Sequence, residues 1–69
     1  MLPVQCRMAR AALQIGVREL AEAANVSTNT ITRLERGEEL QPRTVAAIRI
    51  ALEAAGVEFI NGTGVKLRA

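Results

Sequence analysis

"RELAEAANVSTNTITRLERG", residues 18 to 37, is the stretch on which the reading of this chain turns. Leu20, Ala21 and Ala24 form an apolar stripe at helical spacing, Asn25 interrupts it, and Ile31 and Leu34 begin a second stripe. Asn is the non-glycine residue that best tolerates the left-handed backbone turning a chain sharply after a helix. Ser27 is a favoured cap for the helix that follows. The pattern predicts helix two over residues 17 to 24, a tight turn, and helix three from Ser27 to a stop at Gly37.

On helix three, Asn29, Thr32, Arg33 and Arg36 cluster within roughly 100° on the side opposite Ile31 and Leu34. These are groups that bond to other polar groups. No acidic residue lies between Ala23 and Leu34, so a phosphate approaching this face meets no like charge.

Working outward, Pro3 opens helix one, expected over residues 3 to 14 with Leu2, Cys6, Ala9 and Leu13 on one face. Arg10 lies on the same inward arc, where an always-charged guanidinium needs a carboxylate. Glu35, at the edge of the inward arc of helix three, is its natural partner, which predicts a buried ion pair between helices one and three. Gly16 caps helix two, with Glu19 placed to suit the helix dipole. After the loop "GEELQP", Pro42 opens helix four, expected to end at Ala55 before Gly56. Val45, Ile48, Leu52 and Ala55 are its core stripe. Ala46, Ala47, Ile50 and Ala54 form a second stripe, and a helix apolar on so much of its surface is expected to be covered on two sides.

The tail "VEFINGTGVKLRA" changes to alternating spacing around Asn61-Gly62, a hairpin signal. A two-residue loop would set Phe59 opposite Gly64. A three-residue loop, Asn61 to Thr63, pairs Phe59 with Val65, Val57 with Leu67 and Glu58 with Lys66, and puts the four apolar residues on one face; this register is preferred. The fold class expected is therefore mainly α: a four-helix domain over residues 1–56 and a short C-terminal β-hairpin over residues 57–69. Lys66 and Arg68 read as a charged strand edge.

Sixty-nine residues make one small domain with a thin margin of stability. The composition is 49% hydrophobic with Phe59 as the single aromatic, which suits small interlocking helices. There is no His, Tyr, Trp or Asp, and Cys6 is alone. Catalysis and metal binding have almost nothing to use, so no enzyme activity, metal or cofactor is expected. Cys6 reads as a small core residue. The net charge of +2 is too small to argue for a polyanion by itself. No apolar run is long enough to span a membrane, and the first residues lack the core of a signal peptide, which together lead to the expectation of a cytoplasmic protein with no membrane partner.

A helix, a sharp turn and a second helix braced by helix one make a helix-turn-helix, whose second helix can enter the major groove of DNA. The outward set suits base reading. Asn can bond bidentately to adenine, Arg to guanine, and Thr can meet a base edge or a thymine methyl. Residues 18 to 37 resemble the phage repressor and Cro type of regulators, also called the xenobiotic-response-element class, in the Leu-Ala, the turn, the Val-Ser, the Thr-Ile and the closing Leu-Glu-Arg-Gly. The likeness runs loosely from Leu2 to Gly56. The resemblance implies that Thr28, Asn29, Thr32 and Arg33 read bases, that Ser27 contacts the DNA backbone, and that Arg10 and Glu35 pair. The tail looks like a variant common among small bacterial regulators of the class.

Members of that class usually begin helix two with Ser or Thr followed by Gln, where this chain has Gly16 and Val17. Arg18, one position on, is expected to reach the phosphate instead, with Arg36 and Arg43 as further phosphate contacts. Glu38 and Glu39 are expected to repel DNA or point away. Two functions follow. One is a sequence-specific regulator of transcription, a repressor reading a palindromic operator in double-stranded DNA as a homodimer joined through Ile50, Val57, Phe59, Val65 and Leu67. The other is a protein-interaction module on the same scaffold, an antiactivator or antitoxin that binds another protein through its apolar strips.

Overall fold

The structure is a computed structural model describing residues 1–68. Its elements are α1 (Pro3–Leu13), α2 (Val17–Ala24), α3 (Thr28–Glu35), α4 (Pro42–Ala54), β1 (Val57–Ile60) and β2 (Gly64–Leu67). The mainly helical class with a C-terminal hairpin agrees with the sequence reading. No helix among the described residues is long and apolar enough to cross a membrane.

Pro3 occupies the start of α1, where its missing N–H costs nothing. The wheel fails one residue earlier. Leu2 has extended backbone and is 45% exposed rather than part of the inner stripe, because helical periodicity does not extend to a cap. Gln5 is the inward residue there instead. It is almost fully buried, its Oε1 accepts from the Leu2 N–H at 2.7 Å, and its Nε2 donates to the Gly64 carbonyl at 3.2 Å. A buried amide satisfied on both sides ties the start of α1 to the hairpin.

α1 ends in a way the sequence hides. Gln14 adopts the left-handed conformation (φ 58°), and the next N–H, that of Ile15, returns to the Arg10 carbonyl at 3.0 Å. Glycine takes this conformation without the clash a Cβ brings. Gln14→Gly is therefore expected to stabilise the fold by about 0.5–1 kcal/mol, read as a rise of a few degrees in melting temperature. An unchanged or lower value would mean that the Gln14 side chain holds something its exposed position does not suggest.

The turn between α2 and α3 matches its sequence signal. Asn25 is left-handed (φ 58°), and the Val26 N–H closes on the Ala21 carbonyl at 2.9 Å. Glu19 Oε1 accepts from the Gly16 N–H at 3.2 Å, securing the start of α2. The core joins all four helices to β1: Cys6 and Ala9 from α1, Leu20 and Ala21 from α2, Ile31 and Leu34 from α3, Ile48 and Leu52 from α4, and Val57. α2 packs against both α3 and α4, and α1 packs against α3 and the hairpin. The alanines at these contacts let the helix axes come close.

β1 and β2 pair in the expected three-residue-loop register, Val57 with Leu67, Glu58 with Lys66, Phe59 with Val65. The hairpin is not a separate unit, however. Val57 is 1% exposed inside the helical core, and Phe59 and Val65 pack against that core half-buried. β1 follows α4 closely and folds back onto α1 and α4. Val57 consequently cannot offer free surface to a second chain. Ile50 and Leu67 remain 63% and 50% exposed. On α4, Ala46, Ile50 and Ala54 are exposed and Ala47 half-buried, so within one chain the second stripe is left largely uncovered. Ala55, expected in the core, is exposed past the end of the helix. Arg68 is more than edge charge: its guanidinium donates to the Glu53 carbonyl near the end of α4.

Candidate nucleic-acid interface

α3 is short, and three devices fix it. At its start, Ser27 Oγ accepts from the Thr30 N–H at 3.1 Å and shares a hydrogen bond with the Thr30 hydroxyl at 2.8 Å. Along its inner side, Ile31 and Leu34 are buried. At its end, Gly37 is left-handed (φ 92°) and the Glu38 N–H donates to the Arg33 carbonyl at 3.0 Å.

The ion pair between helices reinforces this. Arg10 Nε donates to Glu35 Oε2 at 2.7 Å and Nη2 to Oε1 at 2.8 Å, a fork-on-fork arrangement. The Arg10 side chain is 22% exposed and that of Glu35 9%, so the pair is sheltered without being sealed. Cys6 Sγ donates to Glu35 Oε2 at 3.2 Å, and Arg7 Nη2 to the Glu35 carbonyl at 2.8 Å. Burial works to raise the Glu35 pKa, but the hydrogen bonds from Arg10 and Cys6 and the charges of Arg10 and Arg7 outweigh it and leave the carboxyl below its usual value. Burial, with the neighbouring carboxylate, pushes the Cys6 thiol up to about 12. A thiol so protonated and enclosed is inert packing with one polar contact.

This bracing leaves Thr28, Asn29 and Thr32 exposed on the outer side of α3. Thr32 Oγ1 donates to its own helix at the Thr28 carbonyl, 3.1 Å away, so outward it can offer a methyl group and an accepting oxygen. Asn29 presents an amide, which both donates and accepts. Arg18 is exposed on α2, and Arg43 is exposed at the start of α4 with its Nε on Gln41 Oε1 at 3.3 Å. A polar groove of about 330 Å3 runs between α3 and the start of α4, lined by Thr30, Arg33, Glu39, Leu40, Gln41 and Thr44. Gln41 and Thr44 carry no signal in the sequence, since only folding brings the start of α4 beside α3.

The two arginines of the α3 face are not free. Arg33 Nε donates to Glu38 Oε1 at 3.0 Å and Arg36 Nη2 to Oε2 at 2.6 Å, so one carboxylate spans both. Hydrogen bonding from Arg33, then from Arg36, keeps the Glu38 carboxyl below its usual value. Of the two alternatives expected of Glu38, repelling DNA or pointing away, the second does not hold: the turn at Gly37 swings it back over the end of α3. The acid-free window of the sequence closes in space, because residues 33 and 38 meet across a helix end.

Asn29, Thr32, Arg33 and Arg36 therefore stand on a firmly held helix that follows a sharp turn from α2, with cations on the neighbouring elements. Among the described residues no group of three or more His, Cys, Asp or Glu could hold a metal ion. No curated protein significantly matches the chain. A family model described as a helix-turn-helix domain matches residues 4–59, which takes in the four helices but for Pro3, and much of β1. The chain belongs to the helix-turn-helix domain family, consistent with the repressor and Cro-type regulators that its sequence resembles.

Proposed function

We propose that the protein is a sequence-specific regulator of transcription, a repressor that acts in the cytoplasm and reads a palindromic operator in double-stranded DNA as a homodimer. The observation that carries this reading is the outer face of α3, where Thr28, Asn29 and Thr32 stand exposed while Ile31 and Leu34 on the other side are locked into the core. Thr28, Asn29, Thr32 and Arg33 are assigned to base edges. Arg18, Ser27, Arg36 and Arg43 are assigned to phosphates, which hold a protein on the duplex without reading it. The exposed Ile50 and Leu67 favour a second copy as the cover for the open apolar surface. Two recognition helices about 34 Å apart would then meet successive major grooves.

The test is a salt-titrated binding measurement on duplexes selected from a random pool against unselected duplexes. The parent is expected to discriminate between them. Asn29→Ala and Arg33→Ala should each lose roughly 1–3 kcal/mol of that discrimination and keep most affinity for unselected DNA. Arg43→Ala should weaken binding to both alike and flatten the salt dependence. If the parent binds both pools equally, α3 does not read bases. The antiactivator or antitoxin reading, with a protein on the apolar strips, then takes its place.

A further inference from the structure

Arg33 and Arg36 sit at the end of α3, where a side chain with this many rotatable bonds would ordinarily wander. Here one carboxylate holds both. The hold is built in by the backbone: the left-handed Gly37 reverses the chain, the Glu38 N–H closes on the Arg33 carbonyl at 3.0 Å, and the Glu38 side chain is thereby set over the arginine whose carbonyl it caps. Glu38 Oε1 then takes Arg33 Nε at 3.0 Å, and Oε2 takes Arg36 Nη2 at 2.6 Å.

The atom that is held matters. A guanidinium has an edge formed by Nη1 and Nη2 that can bond O6 and N7 of guanine together. Glu38 engages Arg33 through Nε and so leaves that edge available. We propose that Glu38 is a positioning residue that sets the base preference of Arg33, fixing its guanidinium by Nε and turning the Nη edge to a guanine. This rests on the assignment of α3 to base reading made above. Because the rotamer is fixed beforehand, less freedom is lost when the right base is met. The same carboxylate repels phosphates and occupies Arg36, which lowers affinity for DNA of any sequence. Glu38 thus acts with opposite sign on general affinity and on discrimination.

That opposition supplies the test. A duplex selected by the parent protein is compared with the same duplex carrying another base pair at the guanine that Arg33→Ala shows to be read, and with random DNA. Glu38→Ala is expected to bind random DNA about two- to fivefold more tightly, since exposed pairs of this kind are weak competitors. Its preference for the guanine duplex should nonetheless fall at least about threefold. Glu38→Gln, which keeps an oxygen for Arg33 Nε without the charge, should gain on random DNA yet retain most of the preference. Arg33→Ala combined with Glu38→Ala should discriminate no worse than Arg33→Ala alone. A merely structural fault would lower all affinities together, and melting temperatures of the variants would report it. Undiminished preference in Glu38→Ala overturns the inference, as does a further loss of preference in the double variant. A parent that prefers no sequence overturns the base-reading assignment itself and this inference with it.

Discussion

Glu35→Ala is expected to cost about 3 kcal/mol of folding stability at neutral pH. The carboxylate receives both forks of Arg10, at 2.7 and 2.8 Å, together with the Cys6 thiol. Its removal leaves a partly sheltered guanidinium whose only other hydrogen bond among the described residues is to the Ile15 carbonyl at 3.4 Å. Breaking a buried pair from one side costs roughly 3–5 kcal/mol, and the lower end applies because Arg10 retains a path to water. A domain of this length has roughly 3–10 kcal/mol in total. The variant should therefore have a much lower urea midpoint with unchanged slope. Replacing both partners together, Arg10→Met with Glu35→Leu, removes the charge as well as its mate and should recover most of the loss. The paired state also sets a pH dependence. Glu35 has its folded pKa below the ordinary 4.5, so its contribution is present above that value and fades as the pH falls through the lower, folded value. The parent should lose stability below about pH 4.5 more steeply than the double variant. Single variants that unfold at the parental urea concentration would show that the pair contributes nothing net.

What is legible in the sequence is what is decided within a few residues. Asn25 and Gly37 mark backbone reversals by residue type alone, and the hairpin register follows from one loop, Asn61 to Thr63, and the demand that four apolar residues share a face. The pairing of Arg10 with Glu35 is legible at longer range because a charge on an apolar face has few permitted partners. Gln5 is hidden for the opposite reason: a neutral amide can lie on either face, and its acceptor, the Gly64 carbonyl, is 59 positions away and carries no side-chain signature. Gln14 in a left-handed conformation violates the preference by which residue type signals a turn. Glu38 looks like a solvated charge because nothing in one dimension shows that a helix end at Gly37 returns it to Arg33 and Arg36. The strand pattern offers Val57 to an interface between chains, whereas its own helices already enclose it; alternation identifies an inward face, but not whose interior it faces.

Ile31→Ala joins the two halves of the molecule's design, because Ile31 is fully buried on the very helix whose other side carries Thr28, Asn29 and Thr32. Truncating a buried isoleucine to alanine costs roughly 2–5 kcal/mol, which rivals the whole stability of so small a domain. DNA binding should weaken accordingly, without the loss of a single outward group. The apparent dissociation constant rises by the inverse of the folded fraction, so sequence preference should survive while affinity falls. This is the reverse of the result expected for Arg33→Ala, where preference falls in a stable protein. Linkage then makes a stronger demand. Duplex at a hundred times its dissociation constant adds about 2.7 kcal/mol to the folded state, enough to offset much of the Ile31→Ala loss. Thermal melts followed by circular dichroism should show Ile31→Ala refolding on addition of the selected duplex, and refolding less with random DNA or when Arg33→Ala is added. Ile31→Val, which removes one methyl group, should cost only about 0.5–1.5 kcal/mol and bind nearly as the parent does. If the selected duplex fails to restore Ile31→Ala at concentrations that saturate the parent, the outer face of α3 is not where DNA acts. Its rigid placement by the core would then serve the contact with another protein.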